Sequence, residues 1–160
     1  MALEWLEMMF DHDLLTAAER EAINAAMQEP GLLPQKVLIV EDDPCTREML
    51  ADILHVNGLL CLEARSADEA MRSLDIDSSI GLVITDLRMR PLNGLELISN
   101  IRESEWADMP IVIISGDADV RDAIEAMRLS VVDFLLKPID PDELITLVNL
   151  QLGLRPDECP

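Results

Sequence analysis

The sequence predicts an α/β fold, a doubly wound sheet of five parallel strands, with a short helical extension at its N-terminus. Three observations predict it. From Lys36 onward, short apolar runs alternate with longer amphipathic segments. The runs are rich in Val, Ile and Leu and nearly continuous, as expected of strands buried on both faces. Five such runs interleave with five helical segments, and parallel neighbours need a crossover of that kind between them.

The elements follow in order. "KVLIV" is the first strand, and it runs into three acids, Glu41, Asp42 and Asp43. Asp43 before Pro44 reads as a helix start, with Asp43 as the cap. The helix, "PCTREMLADILHVNG", shows apolar spacing at three and four, as in Met49, Ile53 and Val56, and Gly58 reads as its stop. "LLCLEA" supplies the second strand, whose Glu63 is expected on the surface. Ser66-Ala67-Asp68-Glu69 opens the second helix, "SADEAMRSLDI". "GLVITD" is the third strand and ends in Asp86; "GLELISNIRES" is the helix after it. "PIVIIS" ends in Ser115 and leads to "DVRDAIEAMRLS". "VVDFLLKP" ends in Lys137 and Pro138, and "PDELITLVNLQLGL" closes the series.

Ligands of open parallel sheets gather at the carboxyl ends of the strands. Glu41, Asp42, Asp43, Asp86, Ser115 and Lys137 all fall there. Each has an ordinary reading alone: a helix cap, a turn residue, a surface lysine. Together they put reactive types at four of five strand ends on one rim. Clustered carboxylates need a raised pKa or a counter-charge. Oxygen ligands of this type suit Mg²⁺, which takes one or two carboxylates plus phosphate oxygens. A lysine and a hydroxyl beside it would receive a phosphoryl group, and a carboxylate can be the nucleophile that forms an acyl phosphate.

"VLIVEDDPCTR", "LVITDLRMRPLNG", "IVIISGDADV" and "VVDFLLKPID" stand in one order within Lys36 to Leu154. With these stretches the sequence resembles a bacterial response-regulator receiver domain, the phosphoacceptor of two-component signalling. The resemblance implies a flavodoxin-like sheet in the order 2-1-3-4-5. It implies that Asp86 accepts a phosphoryl group from a sensor histidine kinase or a histidine phosphotransfer protein. Glu41 and Asp42 would be the acidic pair holding Mg²⁺ with Asp86 and the backbone carbonyl of Arg88, Asp42 as a direct ligand. Ser115 and Lys137 would bind the phosphoryl group, Phe134 would hold the aromatic switch position, and Lys137-Pro138 would be cis. The sequence departs from the family pattern in three places. Arg90 separates Met89 from Pro91, Ser130-Val131 replaces the small pair that closes the fourth helix, and Phe134 lacks a tyrosine's hydroxyl.

A net charge of −20 on 160 residues opposes binding to nucleic acid or to an anionic membrane surface. Apolar residues form 49% of the chain, which suits a packed core rather than a disordered chain. No apolar run approaches the length of a membrane span, and Glu4 and Glu7 stand where an export signal carries basic residues. The three cysteines, Cys45, Cys61 and Cys159, have no metal or redox spacing; packing roles, with Cys159 a free thiol in the tail, and a reducing cytoplasm are expected. Residues 1–34 read as a helical extension and linker, 35–154 as the receiver and 155–160 as a tail. With so short a tail, no C-terminal DNA-binding output is expected, and signalling would run through phosphorylation-dependent binding to an output protein. Trp5, Met9 and Phe10 concentrate apolar surface in the acidic extension, a candidate contact for a partner or for a homodimer, against the plainer reading of a hairpin packed on the receiver.

Two functional classes follow. The first is this signalling module, with only its own phosphorylation and dephosphorylation as chemistry. The second is a small Mg²⁺-dependent phosphohydrolase of the haloacid-dehalogenase kind, whose paired acids would be Glu41 and Asp43. Glutamate fits that nucleophile position poorly. Stoichiometric labelling by acetyl phosphate separates the first from the second, which would instead turn over p-nitrophenyl phosphate.

Overall fold

The computed structural model describes residues 35–116 and 119–154. Residues 1–34, with Trp5, Met9 and Phe10, and the tail 155–160 lie outside the described residues. The elements are β1 (Lys36–Val40), α1 (Pro44–Val56), β2 (Leu60–Ala64), α2 (Ala67–Ile76), β3 (Ile80–Asp86), α3 (Gly94–Arg102), β4 (Ile111–Ser115), α4 (Val120–Arg128), β5 (Asp133–Leu136) and α5 (Pro141–Gln151). The strands form one sheet in the order β2-β1-β3-β4-β5, and every pairing is parallel. This is the predicted order.

Strand pleating divides the core into two layers, since successive side chains point to opposite faces. Leu38, Val40, Val83, Ile111 and Ile113 meet α2, α3 and α4 through Leu74, Leu97, Ile98, Ile101 and Ala126. Val37, Ile39, Leu82, Ile84, Val112 and Ile114 meet α1 and α5 through Leu50, Leu54, Leu144 and Val148. The central strands β1, β3 and β4 are buried almost throughout, which explains their unbroken apolar runs. The edge strands differ from expectation. β2 and β5 are each covered only in part, because an edge has no neighbour strand on its outer side.

The caps form as the sequence predicts. Asp43 accepts the amide of Thr46 at the start of α1, Ser66 that of Glu69 at α2, and Gly58 follows α1 at φ +75°. Asn93 and Asp119 each build a reciprocal capping box. The buried face of α1 is a correction. Met49 is 44% exposed and Val56 87%, whereas Leu50, Ala51 and Leu54 are inside. The helix carries apolar residues on adjacent faces, and contact with the sheet selects the face one position further on. Cys45 is a second correction: it is exposed on α1, not packed.

Arg102, at the end of α3, ties the amino-terminal end of the sheet. Its Nε donates to the Leu129 carbonyl (2.8 Å), its Nη1 to those of Ala107 and Met109 (both 2.8 Å), and its Nη2 to that of Ser130 (3.2 Å). Ser130 follows α4 at φ 58°, the left-handed region where a Cβ is costly. Ser130→Gly is expected to raise stability by about 0.5–1 kcal/mol, the left-handed penalty less glycine's extra chain entropy. Thermal and urea denaturation measure it, and a fall in both midpoints would show that the side chain contributes more than its backbone conformation costs.

Candidate functional site

The rim at the carboxyl ends of the strands gathers the predicted side chains. Glu41 directly follows β1, Asp86 ends β3, Ser115 ends β4, and Lys137 directly follows β5. Parallel register aligns these ends, pairing Val40 with Thr85, Asp86 with Ile114 and Ser115 with Leu136. Glu41 is 2% exposed and Asp86 7%, and Ser115 is fully buried. Lys137 Nζ lies 3.2 Å from Glu41 Oε2 and 3.6 Å from Asp86 Oδ1. One ammonium therefore bridges the two buried acids.

Glu41, Asp42 and Asp86 each bring a carboxylate oxygen within 4.8 Å of the others. When all three are ionised, the carboxylates outnumber the one ammonium and leave two negative charges uncompensated locally. Burial pushes the Glu41 carboxyl up to about 7; the amide of Asp43 opposes the shift, Asp86 adds to it, and Lys137 opposes it. An oxygen-only set with an excess of negative charge fits a hard divalent cation such as Mg²⁺. Asp43 does not join the set. Its carboxylate takes the Thr46 amide (2.9 Å) and hydroxyl (2.6 Å), and those bonds hold its pKa below the usual range.

Arg88 lies in the loop after Asp86, with its guanidinium 3.1 Å from Asp122 on α4. Phe134 is half-buried against the layer that holds α2, α3 and α4. The Lys137-Pro138 peptide is cis, as the resemblance implies, and so is Arg90-Pro91, where the sequence departs from the family pattern.

Two further residues shape the site although sequence reasoning did not single them out. Arg47 donates from Nη1 to the Glu41 carbonyl (2.9 Å), and its Nε lies 3.6 Å from Glu63. It thereby holds the turn that presents Glu41 and Asp42. A base one turn into a helix that starts after three acids is the only trace of this in the sequence. Gly94 donates its amide to the Leu87 carbonyl (2.9 Å), and a Cβ there would collide with the carbonyl oxygen of Asp86. The Asn-Gly pair before the α3 pattern was its available signal.

A family model described as the response regulator receiver domain matches residues 37–149. The chain belongs to the response-regulator receiver family. The receiver is 36% identical over 124 residues to the transcriptional regulatory protein FixJ of Azorhizobium caulinodans, a match covering 78% of this chain and 57% of FixJ. It is 35% identical over 128 residues to an uncharacterized 14.6 kDa protein of Leptolyngbya boryana, covering 79% and 97% of the two chains. A solved response regulator receiver protein from Pseudomonas putida shares 47% identity at a TM-score of 0.72, covering 74% of this chain and 98% of that one. The chain spans 57% of FixJ, 26% of the regulator DctD and 44% of the regulator PprB, so it matches about half or less of these curated relatives. Receiver domains are signalling domains that bind Mg²⁺ at an acidic pocket and interact with histidine kinases or phosphotransfer proteins. Among the described residues, no helix is long and apolar enough to cross a membrane.

In metal-free receiver, the Glu41 carboxyl has its folded pKa raised from 4.5 to about 7. Its stabilising contribution is full below the unfolded value and is lost as pH rises through the folded one, because the folded state alone keeps the proton in that window. Glu41→Gln should flatten this loss and make the EDTA-treated protein more stable than wild type at pH 8, while weakening Mg²⁺ binding. Urea titrations across pH measure it; an unchanged pH profile in the variant would refute the assignment. Gly94→Ala should displace the Asp86 backbone, lowering Tm and Mg²⁺ affinity together. A variant with both unchanged would show that the loop absorbs the methyl group.

Proposed function

We propose that this receiver accepts a phosphoryl group on Asp86 from a histidine kinase or a phosphotransfer protein, and signals by binding an output protein differently in its two states. The observation that carries the reading is the bridge from Lys137 to both Glu41 and Asp86. It marks Asp86 as the carboxylate that ends the central strand β3 and faces both the ammonium and the acidic pair. In this reading residues 35–154 act as the receiver, 1–34 as an appended extension and 155–160 as a tail.

The chemistry follows from placement. An Asp86 carboxylate oxygen attacks phosphorus, the bond from phosphorus to the histidine nitrogen breaks, and the released imidazole keeps the electron pair and takes up a proton. Asp86 becomes an acyl phosphate. Lys137 then offers its positive charge to the phosphoryl oxygens, and the Ser115 hydroxyl, one position beyond the strand partner of Asp86, offers a hydrogen bond. Glu41, Asp42, Asp86 and the Arg88 carbonyl would hold Mg²⁺, which when bound neutralises charge on the acids and on the incoming phosphoryl group. Phe134 would follow Ser115 as the switch side chain.

The phosphohydrolase alternative has less support. It needs Glu41 and Asp43 as a working pair, and the Asp43 carboxylate is engaged in capping α1.

Asp86→Asn should abolish labelling by acetyl phosphate, read by intact-protein mass; full Mg²⁺-dependent labelling in that variant would sink the proposal. Asp42→Ala should lose both Mg²⁺ binding and labelling. Asp43→Ala should keep Mg²⁺ binding and lose about 1 kcal/mol of stability with its cap. Equal loss of Mg²⁺ affinity in the two variants would show that the register of the acidic pair is wrong.

A further inference from the structure

A second group of ligating side chains lies away from the phosphorylation rim. Cys61 is the second residue of β2, paired with Val37 near the amino-terminal end of the sheet. His55 lies near the end of α1. Between them run the turn at Asn57 and Gly58 and the return into β2. That turn sets Cys61 Sγ 3.3 Å from His55 Nε2. Two acids flank the pair in the same pattern. Asp52 precedes His55 by three residues on α1, so the two share a helix face. Glu63 follows Cys61 by two on β2, so the two share a strand face. Burial holds the Cys61 thiol above its ordinary value, and the carboxylates of Glu63 and Asp52 add to the effect, so both negative charges act on this one sulfur.

We propose that Cys61 and His55 form the protein half of a second cation site, one for a borderline-soft ion such as Zn²⁺ rather than for Mg²⁺. The donor spacing supports it. With metal–sulfur and metal–nitrogen bonds of about 2.3 Å and about 2.0–2.1 Å at a tetrahedral angle, sulfur and nitrogen lie about 3.5–3.6 Å apart. The observed separation is 3.3 Å, so an outward movement of a few tenths of an ångström, about a turn of the exposed imidazole, brings both lone pairs onto one ion. Sulfur and imidazole select Zn²⁺ or a similar ion, whereas the oxygen-only set at Asp86 selects a hard one. Asp52 and Glu63 place negative charge near the sulfur, that of Glu63 shared with Arg47 at 3.6 Å, and water completes the coordination of the cation. Binding forms a sulfur–metal bond in place of the S–H bond, and the proton leaves to solvent; nothing is oxidised or reduced. Both donors reach solvent, His55 exposed and Cys61 half-buried, so the ion enters without opening the core.

The test uses the full chain carrying Cys45→Ser and Cys159→Ser, which leaves Cys61 as the sole thiol. Titration with Co²⁺ should give a near-ultraviolet sulfur-to-metal charge-transfer band, and Zn²⁺ should displace it. Saturating Mg²⁺ should leave the band in place. Cys61→Ser should abolish the band, and His55→Gln, which keeps the thiol, should weaken Co²⁺ binding about tenfold or more. Zn²⁺ should also protect Cys61 from alkylation, read by mass spectrometry, in the parent protein and not in His55→Gln. Absence of the band in the parent protein overturns the proposal, as does a band unaffected by His55→Gln or displaced by Mg²⁺. Any of the three results would leave the contact as a hydrogen bond that joins α1 to the edge strand.

Discussion

Two buried carboxylates share one ammonium, and much of the chain is arranged to keep them there. Glu41 and Asp86 come from neighbouring strands, and Lys137 arrives from the end of β5, two strands away from β3. Such acids repel, and burial strips the water that would screen them. One lysine offsets part of the cost. The remainder shows in the raised Glu41 carboxyl, which shares a proton equilibrium with its neighbourhood rather than standing as a simple anion. The site is therefore unsatisfied by its own residues and is poised for positive charge.

Holding that arrangement requires a stiff frame. The core strands are packed on both faces, and among the described residues no buried side-chain nitrogen or oxygen lacks a hydrogen-bond partner. The Thr85 hydroxyl donates to the Asp86 carbonyl (3.0 Å), Gly94 lets the following loop close against that same carbonyl, and Arg47 fixes the turn after β1. These contacts act on the backbone beneath the acids rather than on the carboxylates. The carboxylates thus have fixed roots while one side of the pocket stays open: Asp42 is exposed, and Lys137 is partly so.

What the sequence made legible was whatever depends on local order. Strand runs, caps such as Asp43 and Ser66, and the chemistry at the strand ends are written in contiguous residues, and parallel topology brings the ends together. Facing was harder to read. In α1, apolar residues lie on two adjacent faces, and only docking on the sheet decides that Leu50 and Leu54 go in while Met49 and Val56 stay out. Edge strands read like central ones because their composition is similar and their neighbours are not in the text. The positions of Arg47 over the Glu41 carbonyl and of Cys61 beside His55 depend on how a turn brings chain segments back together, and no spacing rule announces that.

At the far end of the sheet, Arg102 donates to four carbonyls from two separate stretches, 107–109 and 129–130. A guanidinium can do this because its five N–H donors spread over a rigid plane. Lysine offers three donors from a single point and could not span both stretches. One side chain therefore ties both stretches of that corner to the end of α3. Replacement there would take the donor from the part-buried carbonyls of Leu129 and Met109 together, a cost that exposed neighbours such as Glu103 and Glu105 do not carry.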